Sequence, residues 1–153
     1  MNDPLATALV SVRSSYDGRR GTVSRARTHE VARASALSFD SKEPLPTSIE
    51  VFLAAIAADL LGTFGRLARH RRLIIDEAEA VLSATLADPL VYLGVVGSAG
   101  VPRLSSLVVR AHIGTPSPPA SVREAWDDAL QRSPLLNTLR PSVELAVHLN
   151  FTD

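Results

Sequence analysis

PTSIEVFLAAIAADLLGTFGRLAR, residues 46–69, is the stretch that decides how the rest of the chain must be arranged. Thr47 stands at the expected N-cap of a helix and Glu50 follows three residues later, which is the spacing of a capping box. Within residues 49–68 the side chains that are neither apolar nor glycine are Glu50, Asp59, Thr63 and Arg66. A helix this apolar is expected to be buried on most of its faces. We therefore predict a central core helix with a carboxylate at its middle.

Asp59 is the residue of this helix whose surroundings decide the functional interpretation. A carboxylate buried without a partner is costly, so something must satisfy its charge. At about 100° per residue, Thr63 and Arg66 share a helix face with Asp59, and Phe52 lies on that face too. Glu50 points the opposite way, so we interpret it as a helix cap.

The composition describes an ordinary globular chain. Its 153 residues are 46% hydrophobic and 21% charged, which predicts one domain, residues 1–153, with a substantial core. Sixteen basic residues balance sixteen acidic ones, which argues against a nucleic-acid or anionic-membrane partner. There is no cysteine, so the chain has no thiol chemistry, thiolate metal site or disulfide.

Other sequence features set the remaining expectations for compartment and cofactors. The N-terminal residues MNDPLATALV lack the basic segment of a signal peptide. The long helix carries a central aspartate, which disfavours a membrane span. The four histidines show no ligand spacing, so no metal is expected. We predict a cytoplasmic protein with no cofactor.

The order of elements along the chain predicts the fold class. The predicted strands cover residues 5–13, 21–28, 29–39, 73–86, 104–113 and 143–149, with a hairpin signal at Asp17-Gly18. Residues 21–28 and 29–39 form either two strands or one long bent strand. A second helix is expected to start at a capping box of Ser121 and Glu124 and to end before residues 133–134, with Trp126 in its apolar, core-facing stripe. The order β-β-β-α-β-β-α-β, with strands and helices segregated, predicts an α+β fold with a mostly antiparallel sheet.

Two segments resemble one known family. PTSIEVFLAAIAADL, residues 46–60, resembles the segment of the OsmC/Ohr organic-hydroperoxide reductases in which a Pro-x-Glu start leads through an Ala-rich helix to Ala-Ala-Cys. SPLLNTL, residues 133–139, resembles the Cys-Pro-x-x-Asn-Thr-Leu segment that follows the second helix of that family. The element order agrees as well. The resemblance implies an intertwined homodimer with the long helices at its centre and two sites, each at the interface.

The resemblance also implies where the reactive groups of the family would lie. The thiolate position is Asp59 and the position of the resolving thiol is Ser133. The glutamate of the family falls on Ile49. Its arginine, from an early turn, corresponds to Arg19 or Arg20. Neither an aspartate nor a serine can perform two-electron thiol redox chemistry, so this composition excludes a thiol peroxidase mechanism.

Several interpretations of Asp59 remain open from the sequence. It is a buried acid satisfied by Thr63, Arg66, Ser133 or a partner chain, or a polar anchor facing a ligand hydroxyl or amine in an apolar pocket. A third interpretation is a general acid or base with a pKa raised by burial. A nucleophilic pair of Ser133 and Asp59 lacks a convincing base.

Three functional hypotheses follow. The favoured one is a non-peroxidase descendant of the family that binds a small apolar ligand at the dimer interface. The expected lining residues are Asp59, Ser133, Ile49, Phe52 and Arg20. The alternatives are an enzyme with non-thiol chemistry at the same place and a purely structural or partner-binding dimer.

Overall fold

The computed structural model describes residues 7–18, 21–35 and 42–152. Its elements, in chain order, are β1 (Arg13–Asp17), β2 (Gly21–Ala26), β3 (His29–Ala34), α1 (Ser48–His70), β4 (Glu77–Ala87), α2 (Pro89–Tyr92), β5 (Arg103–Gly114), α3 (Pro119–Arg132), α4 (Pro134–Leu139) and β6 (Glu144–Thr152). The chain divides into two compact units, Met1–Val51 and Phe52–Asp153. The single domain therefore stays a prediction.

The fold class predicted from the sequence is confirmed. The strands form two three-stranded sheets, in the orders β1-β2-β3 and β4-β5-β6. Three of the four pairings are antiparallel, and β5 pairs with β6 in parallel. The predicted order misses the short helices α2 and α4, because four and six residues are too few to show a helical period.

In the first unit the hairpin signal is confirmed, but the predicted first strand is wrong. Residues 7–12 form no strand, and β1 begins at Arg13. The hairpin pairs Asp17 with Gly21, so the residues just before the turn must form the strand. The loose alternation of apolar and polar residues in 5–13 gives no information about this pairing. The next two predicted strands are confirmed as β2 and β3, two strands rather than one long bent one, and residues 36–39 of the second prediction lie outside the described residues.

The predicted capping box at the start of α1 is confirmed. The backbone N–H of Thr47 donates to Glu50 Oε2 at 2.7 Å, and the N–H of Glu50 donates to Thr47 Oγ1 at 3.3 Å. The backbone N–H and then the hydroxyl of Thr47 hold the pKa of the Glu50 carboxyl below its usual value. These contacts satisfy backbone donors that the first turn of a helix otherwise leaves free.

The core of the second unit lies between its helices and the inner face of the β4-β5-β6 sheet. The buried apolar side chains come from α1, α3, α4 and the central strand: Ile56, Leu60, Phe64, Leu67, Ala68, Val122, Ala125, Trp126, Ala129, Leu136, Leu107, Val109, Ala111 and Ile113. Trp126 packs edge-on against Phe64, with ring centroids 5.5 Å apart and planes at 70°. The predicted core position of Trp126 is therefore confirmed.

Within one chain α1 buries a single stripe, so the expectation of burial on most faces is not met there. Its buried residues are Ile56, Leu60, Thr63, Phe64, Leu67 and Ala68. Ala54, Ala55, Ala58 and Gly62 remain exposed on other faces. By length and mean hydropathy alone α1 would also qualify as a membrane span, a test that a soluble core helix passes equally.

The second predicted helix and the fourth predicted strand have different starts from those expected. α3 begins at Pro119 without a capping side chain, so the predicted capping box of Ser121 and Glu124 is wrong. Proline suits the first helical position because its φ is preset and its missing N–H costs nothing there. The predicted end of α3 is confirmed. Strand β4 begins at Glu77 rather than residue 73, since the backbone of Ile74 is bonded to the side chains of Thr115 and Ser117.

Candidate functional site

The structure brings Asp59 of α1 and Ser133, at the junction of α3 and α4, into direct contact. Ser133 Oγ donates a hydrogen bond to Asp59 Oδ2 at 2.5 Å. Ser133 is fully buried, whereas Asp59 is partly exposed. Among the interpretations left open for Asp59, this contact supports a partly buried acid satisfied by Ser133.

Local structure fixes the serine. It is the N-cap of α4, and its Oγ accepts a hydrogen bond from the backbone N–H of Leu136 at 3.1 Å. Pro134 follows it at the first helical position, where proline is favoured. The hydroxyl therefore uses its proton on Asp59 and a lone pair on the helix, which fixes the side chain in one orientation.

The other residues predicted around Asp59 do not join this contact. Thr63 is buried and Arg66 is exposed, and neither bonds to Asp59 among the residues described. Phe52 is 37% exposed, on the helix face that also carries Asp59. Ile49 belongs to the first compact unit, and Arg20, with Arg19, lies outside the described residues.

The contact has limited chemistry of its own. In the described part of the chain no histidine bonds to Ser133 or Asp59, so the serine has no base there to take its proton in a nucleophilic attack. The second carboxylate oxygen, Asp59 Oδ1, has no donor from the described residues. A carboxylate oxygen accepts strong hydrogen bonds from hydroxyls and amines. The arrangement is thus suited to holding a ligand donor rather than to activating a nucleophile.

A second polar site lies on the β4-β5-β6 sheet and has no counterpart among the residues predicted from the sequence. A cavity of about 290 Å³ is lined by Glu77, Glu79, His112 and Thr152. These residues come from the three strands of the second sheet, so their proximity depends on strand register and leaves no local motif in the sequence. Within the described residues no group of three His, Asp or Glu side chains could hold a metal ion.

Comparison with known proteins points to one family. A family model described as OsmC-like protein matches residues 40–148. No curated protein matches the chain. An OsmC-like protein from Mycoplasma pneumoniae is similar in structure, with a TM-score of 0.79 and 14% identity over 95% of this chain and 99% of its own.

Two further solved structures are similar. An organic hydroperoxide resistance protein OsmC from Legionella pneumophila has a TM-score of 0.67 at 14% identity, covering 95% of this chain and 98% of its own. The organic hydroperoxide resistance protein OhrB of Bacillus subtilis has a TM-score of 0.65 at 14% identity, with coverages of 94% and 98%. At such identities the likeness concerns the fold alone.

Proposed function

The chain belongs to the OsmC-like family, and from this premise we propose that it is a thiol-free, non-peroxidase member that binds a small ligand at a homodimer interface. Asp59 is the polar anchor of the proposed site, and Phe52 is part of its apolar wall. Two of the similar solved structures are named organic hydroperoxide resistance proteins. A link to the oxidative stress response is therefore part of the proposal.

The observation that carries this proposal is the hydrogen bond between Asp59 and Ser133. These are the two positions at which the matching motifs of the family place cysteines. A side-chain contact between them supports the correspondence of motifs, although the chain itself has no cysteine. The contact keeps the two elements joined without thiols, and it leaves Asp59 Oδ1 open to a ligand hydroxyl or amine.

The exposed surface of α1 supports the dimer. Ala55, Ala58, Gly62 and Gly65 follow one another at intervals of three and four residues, which places them along one seam of a helix. A Cβ added at Gly62 or Gly65 would meet nothing within 4 Å in the same chain. Small residues of this kind let a second helix backbone approach closely. A second copy packed there would bury the apolar surface that one chain leaves exposed.

Native mass spectrometry of freshly purified protein, with denaturing analysis of anything released, tests the ligand proposal. We expect a dimer that carries a reproducible small molecule, and we expect the Asp59→Ala variant to lose it. Asp59→Asn keeps an acceptor for Ser133 but removes the charge, so retention of the molecule would indicate a hydroxyl ligand and loss an amine. Asp127→Ala, at an exposed position of α3, is the matched control.

If the protein is a dimer at its concentration in the cell but carries no small molecule, the ligand proposal is overturned in favour of a structural dimer. Equal loss of the molecule from the Asp127→Ala control would also count against Asp59 as the anchor.

Replacing Gly62 by leucine is expected to convert the dimer to a monomer. A Cβ at position 62 has no neighbour within 4 Å apart from the backbone of its own helix turn, and leucine is a better helix former than glycine by about 1 kcal/mol. The monomer should therefore keep its helical content while the second copy is excluded. Light scattering coupled to gel filtration measures the mass, with Ala120→Leu on the exposed face of α3 as control. A dimer unaffected by Gly62→Leu would place the interface elsewhere.

A further inference from the structure

The cavity of about 290 Å³ lies on the outer face of the second sheet, away from the core. Side chains alternate between the two faces of a strand. In β5, Ile113 and Ala111 point into the core and are fully buried, so His112 points to the opposite face. His112 pairs with Glu79 of β4, and Gly114 pairs with both Glu77 of β4 and Thr152 of β6.

A glycine in the central strand opens this cavity. A Cβ added at Gly114 would lie 3.2 Å from Thr152 Oγ1 and 3.7 Å from the Cβ of Glu77. Because Gly114 has no side chain, a depression is left between Glu77 and Thr152, whose side chains project from the sheet. The next row across the strands, Glu79 and His112, also lines it.

The lining groups favour a positively charged ligand. Two carboxylates, one hydroxyl and one imidazole face the cavity, and none of the four makes a side-chain hydrogen bond or ion pair with the described part of the chain. Arg110, two residues before His112 on the same face, forms no ion pair with Glu77 or Glu79. The two acidic groups are therefore not neutralised within the structure and can attract a cation.

The size of the cavity indicates what kind of cation. The carboxylates stand on alternate residues of β4, about 6.6 Å apart at their Cα atoms, and no described group of side chains is arranged to hold a metal ion. A volume close to the lower end of small-ligand pockets, about 300 Å³, suits a molecule of several heavy atoms. We propose that this cavity binds a small organic cation of the amine or guanidine class, whose N–H groups donate to Glu77, Glu79 and Thr152.

This site is separate from the one proposed at Asp59. It lies on the outer face of the sheet and shares no residue with Asp59 or Ser133. Because the two sites use different elements, a variant in one leaves the other intact. Failure of the cation site would say nothing against the proposed function.

Isothermal titration calorimetry of the full chain with agmatine, which carries both a guanidine and an amine, tests the proposal. We expect saturable binding of one molecule per chain. Glu77→Gln and Glu79→Gln should each weaken it about tenfold or more, since each removes a charge-assisted hydrogen bond. Gly114→Ala should weaken it as well, because it fills the depression. Butyrate, with the opposite charge, should not bind.

Glu144→Gln is the matched control. Glu144 pairs with Ser106, so it lies on the same sheet about 26 Å along β5 from Gly114, and this variant should bind agmatine as the parent does. Circular dichroism checks that Gly114→Ala still folds, and the two glutamine variants carry the test if it does not. An arginine-containing tripeptide with blocked termini distinguishes the source of the cation: equal affinity to agmatine indicates a side chain of a partner protein, and weaker affinity indicates a free amine.

Three outcomes would overturn the proposal. The first is an absence of saturable agmatine binding, and the second is an equal loss of binding in Glu144→Gln. The third is displacement of agmatine by micromolar Zn²⁺ or Mn²⁺, which would make this a metal site.

Discussion

Replacing Trp126 by alanine is expected to lower the free energy of unfolding by about 4 kcal/mol. The side chain is 1% exposed, and it is the largest among the fully buried side chains of the described residues. It also packs edge-on against Phe64 of α1, a geometry that adds about 1 kcal/mol to the area buried. Chemical denaturation followed by circular dichroism measures the loss, with all proteins at one concentration because dimer formation would add to apparent stability.

Trp126→Phe is the informative control. The indole Nε1 is buried and has no hydrogen-bond partner in the described residues, so phenylalanine removes volume without removing a bond. We expect this variant to lose under about 2 kcal/mol. If both variants lost the same amount, the indole N–H would have to donate a hydrogen bond that is absent from this structure, for example to a second chain.

The elements predicted well are those encoded by neighbouring residues. The start of α1 follows from Thr47 and Glu50, whose side chains bond each other's backbone across one turn. The stripe around Trp126 follows from helical periodicity. The prediction of the first strand is wrong because the alternation of residues 5–13 does not decide which residues are extended. Pairing across the hairpin of Asp17 and Gly21 decides it.

The candidate sites depend on contacts between distant residues, and periodicity contains no information on these. The contact between Asp59 and Ser133 was suggested by the resemblance alone, because both residue types are common in turns and helices. One chain alone does not meet the expected burial of α1 on most faces, and burial of its exposed seam by a second copy is part of the proposal. The Gly114 cavity was missed because it exists only when three strands are in register.

The double variant Asp59→Cys/Ser133→Cys is expected to form a disulfide within one chain and to become more stable when oxidised. Ser133 Oγ lies 2.5 Å from Asp59 Oδ2, so the two side chains meet, and a disulfide requires the Cβ atoms of the two cysteines to come to about 3.8 Å. The residues are 74 positions apart, and closing a loop of that length stabilises a fold by about 4 kcal/mol. Loss of the serine cap of α4 costs about 1 kcal/mol, which leaves a net gain of about 3 kcal/mol.

Thiol titration and thermal melting with and without reductant measure this effect, and the two single variants are the controls. Neither single variant should respond to reductant. A double variant that keeps two titratable thiols after oxidation, or links chains to each other, would show that the two positions do not meet in solution. The correspondence of Asp59 and Ser133 to the cysteine positions of the family would then be wrong.

The same double variant separates the fold of the family from its chemistry. A thiolate introduced at position 59 can be oxidised by a hydroperoxide to a sulfenic acid, and the thiol at position 133 can then displace water to close the disulfide. That sequence is fast only where neighbouring groups hold the thiolate, and the resemblance places Ile49 at the position of the family's glutamate. We therefore expect the disulfide to form readily with a thiol oxidant but slowly with an organic hydroperoxide. Rapid turnover of the hydroperoxide would mean that other residues of this chain already supply the missing activation.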